Sequence, residues 1–290
     1  MKVGVVGVGI MGSAIARNLL KAGSAVTAYD IDAARLGEIG AAGAAVARSA
    51  ADVADGSEIV LTSLPSEAAL EATVAAIGAQ PRPGVVMAEL STLPIPAKLR
   101  ARDALAATGI PLLDCPLSGT GAQAVTGDLA VYASGDSAAY DRALPALRQF
   151  SRVSHFLGEF GNGSKMKFVA NLLVAIHNVA SAEAMVLGMK AGLDPAQIAE
   201  VIASGAGNSR VFELRSPMMV ADRYEPPSMK IDIWQKDMAI IGAYAASLGV
   251  TAPLFTATVP VYNAAVEQKL GGQDTAAVCA VLERMAGLAR

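Results

Sequence analysis

The chain has 290 residues, room for two domains with cores of their own, and its 23 Lys and Arg against 26 Asp and Glu leave a formal net charge of −3. That balance excludes the electrostatic footprint of a nucleic-acid or anionic-membrane binder. The apolar share of 53% and charged share of 17% lean towards burial, relative to roughly 45–50% and 25% in ordinary soluble domains, and predict apolar surface covered between subunits. Cys115 and Cys279 form no CxxC pair and only two histidines accompany them, so no metal site is expected and a reducing, cytoplasmic setting fits.

Lys2 leads straight into a glycine-rich turn, with no signal-peptide pattern. Residues 2–6 read as a short buried strand. Gly7-Val8-Gly9-Ile10-Met11-Gly12 then has the GxGxxG spacing and opens a helical run to about Lys21. Gly7 permits the tight turn, Gly9 lets a pyrophosphate approach the backbone, and Gly12 lets helix and strand pack closely. The helix start behind them offers N–H groups and partial positive charge to phosphates. A second strand, Ala25 to Tyr29, ends at Asp30, 21 positions after Gly9 and 18 after Gly12. That is where a dinucleotide-binding unit carries the acid that bonds the adenosine ribose 2′-OH. A carboxylate there repels a 2′-phosphate, which predicts NAD over NADP. The other reading of Asp30 or Asp32 is a helix N-cap before Ala33-Ala34-Arg35-Leu36.

Strand and helix signals keep alternating. Strands are predicted at Glu58 to Ser63 and Val85 to Glu89, and helices over 67–77 and 97–107. Ser63 to Pro65 and Ser91-Thr92 fall at strand ends, where a doubly wound sheet binds its ligand; ordinary turn chemistry is the alternative. Leu112-Leu113 reads as a strand. The following loop, Asp114-Cys115-Pro116-Leu117-Ser118-Gly119-Thr120-Gly121, has the small residues and hydroxyls of an anion-binding nest, in turn-like composition. A strand at Asp128 to Ser134, a helix over 137–149 and a strand at Val153 to Leu157 close a Rossmann-type dinucleotide-binding domain, 1–162.

An all-helical domain, 163–290, begins with a long helix joining the two. Ser164 is its predicted N-cap, and the apolar run continues to Leu187 before Gly188 and a stop at Gly192. Lys167, Asn171, Val174 and Asn178 share one face of it. Further helices are predicted at Pro195 to Ala203, Ile231 to Leu248, Pro253 to Gln268 and Asp274 to Leu288. The uncharged stretch Ala239 to Val266 is long enough to cross a bilayer, but Gly242, Gly249, Pro253 and Pro260 cut it, and two buried helices fit better. Lys236-Asp237 reads by itself as a surface ion pair.

Together these motifs resemble the β-hydroxyacid dehydrogenase family, the group of 3-hydroxyisobutyrate dehydrogenase and tartronate semialdehyde reductase. The resemblance runs over essentially the whole chain. It rests on Val5-Val6-Gly7-Val8-Gly9-Ile10-Met11-Gly12 with Arg17-Asn18-Leu19, on Asp114-Cys-Pro-Leu-Ser-Gly119, on Gly161-x-Gly163-x-x-x-Lys167-x-x-x-Asn171, and on Lys236-Asp237. It implies Lys167 as general acid/base, Ser118, Gly119, Thr120 and Asn171 around a substrate carboxylate, and Leu64, Pro65, Thr92 and Lys236 near the nicotinamide. It also implies a homodimer or homotetramer built through the C-terminal helices. Thr120 stands where the family commonly has a second Gly, Ala170 where an Asn is frequent, and Met229 near where a Phe is common. These departures bear on the substrate more than on the reaction.

The expected activity is reversible hydride transfer between NAD and a small 3-hydroxy acid or its semialdehyde. For Lys167 to act as a base near neutrality its pKa must fall, through burial and the positive nicotinamide ring. An NAD(P)-dependent imine or amine oxidoreductase and a non-catalytic dinucleotide-binding module are the alternatives. Lys167 speaks against the first, and the intact Lys167–Asn171 pair against the second.

Overall fold

Val3, Val5 and Val6 are buried together in β1 (Lys2–Val6), which has neighbours on both edges, as the central strand of a parallel sheet requires. The computed structural model describes all 290 residues, Met1–Arg290, as two compact units, Met1–Lys167 and Phe168–Arg290. In the first unit the chain alternates through α1 (Ile10–Lys21), β2 (Ala25–Tyr29), α2 (Ala33–Ala41), β3 (Ala45–Val46), α3 (Ala50–Asp55), β4 (Ile59–Thr62), α4 (Glu67–Gly78), β5 (Val86–Glu89), α5 (Ile95–Ala106) and β6 (Leu112–Asp114). All six strands pair in parallel, in the order β3-β2-β1-β4-β5-β6. This is the doubly wound Rossmann order, whose strand order reverses between β1 and β4. Two cores cover the two faces of the sheet. One gathers Val5, Ile15, Leu19 and Leu113, the other Val60, Leu70, Ile77 and Leu105.

Residues 117–156 form an appendix that sequence patterning predicts only in pieces. β7 (Leu117–Ser118), α6 (Gly121–Thr126), β8 (Ala130–Ala133), α7 (Ser137–Leu147) and β9 (Val153–Phe156) include a separate three-stranded sheet, β7-β8-β9. The β7–β8 pair is antiparallel and the β8–β9 pair parallel. The expected loop after Asp114 is therefore partly strand and partly helix.

The long helix α8 runs from Asn162 to Lys190. It begins before the predicted cap: Ser164 lies inside it, in the first turn. Gly188 does not end it either. The stop comes at Gly192, in the left-handed region at φ +89°. By length and composition α8 is the one helix capable of crossing a membrane. Met166, Val169, Leu173 and Leu187 on it are exposed.

The second unit continues through α9 (Pro195–Ala203), α10 (Arg210–Ala221), α11 (Ile231–Ser247), α12 (Pro253–Glu267) and α13 (Val278–Met285), the last preceded by a 3-10 turn at Thr275–Ala277. α10 has no counterpart among the predicted helices. The stretch Ala239 to Val266 does divide into two helices, but between Leu248 and Ala252, and Pro260 lies inside α12. Asp274 organises the end of this unit. Its carboxylate pairs with the buried Arg215 guanidinium at 2.6 Å and accepts the Ser228 N–H and O–H at 2.7 Å each. Asn178 belongs to the same core. Its amide donates to the Tyr262 hydroxyl at 3.0 Å and the Thr275 carbonyl at 2.9 Å.

The tightest backbone approach is in the glycine turn, where a Cβ on Gly12 would lie 1.9 Å from the Gly7 carbonyl oxygen. Gly12→Ala is expected to cost about 2 kcal/mol or more, because backbone must move to admit the methyl. Gly272, with open space around its Cα, provides the control: Gly272→Ala should stay within about 0.5 kcal/mol. Urea unfolding of both variants checks this, and equal midpoints would contradict the packing argument.

Candidate active site

At the carboxyl edge of the sheet, α1 starts at Gly9 with no side chain capping it, whereas α2, α3, α4 and α7 are capped by Asp32, Ser49, Ser66 and Asp136. The first N–H groups of α1 and its dipole are thus directed at whatever anion the turn receives. Ile10 and Met11 occupy that first turn. Asp30 follows β2 and is nearly buried. One oxygen accepts the Val8 N–H at 2.8 Å and the other the Asp32 N–H at 2.9 Å. A carboxylate has lone pairs to spare after two such bonds. The N-cap is Asp32, which accepts from Ala34 and Arg35, so the two acids have separate structural jobs. Arg35, which spacing does not single out, lies 3.2 Å from Asp32 and 3.9 Å from Asp30, above the position of Gly9. Uncapped helix, close-packed glycines and strand-end acid together suit a dinucleotide.

The β4 and β5 exits are tied together, since Ser91 Oγ accepts the Leu64 N–H at 2.7 Å. This holds the stretch Leu64-Pro65 beside Ser91-Thr92. Below them lies a cluster with no signature in the sequence. Lys98 of α5 is fully buried. Its Nζ donates to Asp114 Oδ1 at 2.8 Å and the Ser91 carbonyl at 2.7 Å, and lies 2.6 Å from Glu89 Oε2. Three partners match the three protons of an ammonium. Burial alone would lower the lysine's pKa; the Asp114 and then the Glu89 carboxylate overturn that and hold it above the usual lysine range.

Asp114 also organises the start of α8. Its Oδ2 accepts the Ser164 N–H at 2.7 Å and its Oδ1 the Ser164 hydroxyl at 2.8 Å. The helix is thus capped by a carboxylate from the end of β6, and Ser164 is the residue it grips rather than the cap. Ser134 adds a second hold by accepting the Gly163 N–H at 2.9 Å. Gly163 admits this approach, since a Cβ there would lie 2.2 Å from the Tyr132 carbonyl oxygen and 2.7 Å from that of Asp114. Lys167, buried, is the third residue after Ser164. Lys165 is exposed and donates to Asn162 at 3.0 Å.

One helical turn beyond Lys167, Asn171 is buried and its amide donates to Asp237 Oδ2 at 3.2 Å. Asp237 is buried too, and its other oxygen lies 3.1 Å from the half-exposed Lys236 ammonium. The Lys236-Asp237 pair is therefore not a plain surface ion pair: its acid orients Asn171. Asn178, on the predicted face, is committed to the helical core instead. In the β7–α6 stretch, Ser118, Gly119 and Thr120 are all partly exposed. Gln123 Oε1 accepts the Thr120 N–H at 3.1 Å, so that nest donor is already engaged.

Parallel order, glycine turn and acid-terminated second strand define a dinucleotide-dependent oxidoreductase. The comparisons with known proteins agree. The family model described as the NAD binding domain of 6-phosphogluconate dehydrogenase matches residues 2–158, and that for the NAD-binding of NADP-dependent 3-hydroxyisobutyrate dehydrogenase matches 161–282. L-threonate dehydrogenase of Cupriavidus necator is 34% identical, covering 95% of this chain and 94% of its own. 2-(Hydroxymethyl)glutarate dehydrogenase of Eubacterium barkeri is 28% identical over 99% and 97%. Among solved structures, 3-hydroxyisobutyrate dehydrogenase from Salmonella typhimurium superposes with a TM-score of 0.88 at 29% identity, covering 97% of this chain and 99% of that one. The chain belongs to the β-hydroxyacid dehydrogenase family, NAD(P)-dependent oxidoreductases acting on CH–OH groups.

Cys115 sits among these residues but is no nucleophile. Full burial, and next the Asp114 charge, push its thiol well above the usual range. Burial likewise pushes Cys279 up to about 12. Native protein at pH 8 is expected to resist iodoacetamide at both thiols and to label only after unfolding. Fast stoichiometric labelling of native protein, read by intact mass, would contradict this.

Proposed function

We propose that this enzyme oxidises a small 3-hydroxy acid, reversibly, to the semialdehyde or keto acid, with NAD preferred over NADP. The observation that carries the chemical part is the buried Lys167, three residues from the helix turn that Asp114 and Ser134 hold. A lysine kept out of water is one whose proton affinity an active site can tune, and its location on an anchored helix limits its freedom to reorient.

In this reading Lys167 Nζ takes the hydroxyl proton as the carbinol carbon gives up its hydride. Ser118, the Gly119 backbone, the Thr120 hydroxyl and Asn171 receive the substrate carboxylate. Asp237 presents the Asn171 amide in one orientation, so the carboxylate meets a donor that is already aimed. Leu64, Pro65, Thr92 and Lys236 serve the nicotinamide end, Gly7 to Gly12 the pyrophosphate, and Asp30 the adenosine ribose. A bound nicotinamide supplies the two-electron acceptor; the protein supplies position and proton transfer.

The preference for NAD is supported by the two carboxylates at the end of β2. In this reading Asp30, at the strand end beside the glycine turn, serves the ribose. Arg35, the nearby cation that would welcome a 2′-phosphate, is shared between Asp30 and Asp32. The relatives named for threonate and for hydroxymethylglutarate support a carboxylate bearing a hydroxyl as the substrate class. A screen of L-threonate, 3-hydroxyisobutyrate, glycerate, L-serine and short ω-hydroxy acids, with a cyclic imine as the contrasting arm, tests the reaction.

Two outcomes are expected with whichever acid turns over. Lys167→Ala should lower kcat about a thousandfold or more while NADH binding, followed by fluorescence, persists. Near-normal turnover would remove Lys167 from the chemistry. The ratio of kcat/KM for NAD to that for NADP should be at least about ten, and Asp30→Ala should narrow it. A wild-type preference for NADP would refute the role given to Asp30.

A further inference from the structure

The mechanism does not use Lys98, yet it is the most deeply buried lysine of the chain. The apparatus around it is continuous. The Leu64 N–H donates to Ser91 Oγ at 2.7 Å, and the Ser91 N–H donates to Glu89 Oε1 at 2.8 Å. The Ser91 carbonyl accepts from Lys98 at 2.7 Å, Lys98 donates to Asp114 at 2.8 Å, and Asp114 accepts both donors of Ser164. One end of this chain of bonds is the stretch Leu64-Pro65 and Ser91-Thr92. The other is the first turn of α8, three residues before Lys167.

Such a cluster is a poor device for stability alone. Desolvating two carboxylates and an ammonium offsets much of their attraction, and apolar side chains of similar volume hold a core as well or better. What apolar packing lacks is direction. The ammonium here donates to two acceptors and is ion-paired with a third group, and each of the three lies on a different element: the Ser91 carbonyl in the loop after β5, the Asp114 carboxylate at the end of β6, and the Glu89 carboxylate at the end of β5. Movement of α8 along its axis by a fraction of a turn would break the Asp114–Ser164 bonds, and Lys98 would lose the orientation of Asp114.

We propose that Lys98 is a positioning residue: it fixes Asp114, and through Asp114 the first turn of α8 with Lys167, against the Leu64–Pro65 and Ser91–Thr92 stretches. The catalytic half rests on the reading of Lys167 as acid/base; the structural half does not. Replacement by an uncharged side chain of similar length removes the direction but keeps the volume.

The experiment compares wild type, Lys98→Met and the double variant Glu89→Gln/Lys98→Met. Lys98→Met alone leaves two buried carboxylates without their cation and is open to misfolding. The double variant restores the cluster's formal charge of −1, carried by Asp114, and so keeps the test available. Hydrogen–deuterium exchange by mass spectrometry reads the peptides spanning 160–168, and steady-state kinetics read kcat and KM with the panel acid that turns over. Exchange in 160–168 is expected to rise in both variants. Loss of kcat by about thirtyfold to a hundredfold is expected in both, with little change in KM for the acid or in NADH binding.

A merely structural lysine would give a lower unfolding midpoint in urea, with native exchange at 160–168 and native kcat in the folded double variant; that pattern overturns the proposal. A loss confined to KM or to NADH affinity overturns it as well. Failure of the Lys167 assignment is read separately, as turnover persisting in Lys167→Ala, and the exchange result then decides the structural half on its own.

Discussion

The grip of Asp114 on Ser164 is the constraint on which the start of α8 depends. A 29-residue helix begins with unpaired N–H groups, and here the partner for one of them comes from a strand 50 residues earlier. The bond therefore does two things at once. It satisfies the helix start with a full negative charge at the positive end of the dipole, and it sets the helix against the end of β6. Gly163 allows the approach because nothing larger than hydrogen fits between its Cα and the Tyr132 and Asp114 carbonyls. Glycine and acid are thus two parts of one joint, and Lys167 is carried on it.

The end of β2 arranges its charges differently. Asp30 is held by two backbone N–H groups, one of them from the glycine turn itself. The glycine turn and the acid at the next strand's end are hydrogen-bonded to each other, so neither is set independently. Asp32 caps α2 and draws in Arg35. A cation lies near the strand end without presenting an unshared positive charge there, because Arg35 is shared between the two acids.

Family membership and substrate are separate matters in this chain. The framework of this chain rests on backbone constraints and a few buried polar pairs, among them Asn171 with Asp237. By the family resemblance, side chains depart from the common pattern at Thr120, Ala170 and Met229, and the first of these lies between β7 and α6. Thr120 brings a hydroxyl where a glycine is frequent, and its own N–H is occupied by Gln123. The departure changes the polar groups that the β7–α6 stretch presents.

Local spacing was sufficient for much of this. Gly7, Gly9 and Gly12, Asp30 at the next strand's end, and Lys167 with Asn171 one turn on are patterns written within about 20 residues, because turns, strand alternation and helical faces are short-range geometry. The parallel alternation likewise made the Rossmann order legible. Tertiary structure alone decided the rest. Ser164 looked like a cap because a hydroxyl before an apolar run usually is one; the true cap lay on β6. Asn178 shared the face of Lys167 in projection, but Tyr262 and Thr275 claimed it for the helical core. Nothing within α5 itself reveals that Glu89, Ser91 and Asp114 converge on the Lys98 ammonium. Parallel crossovers bring such residues together in space without leaving a period in the chain, so which charges meet is settled by the sheet rather than by spacing.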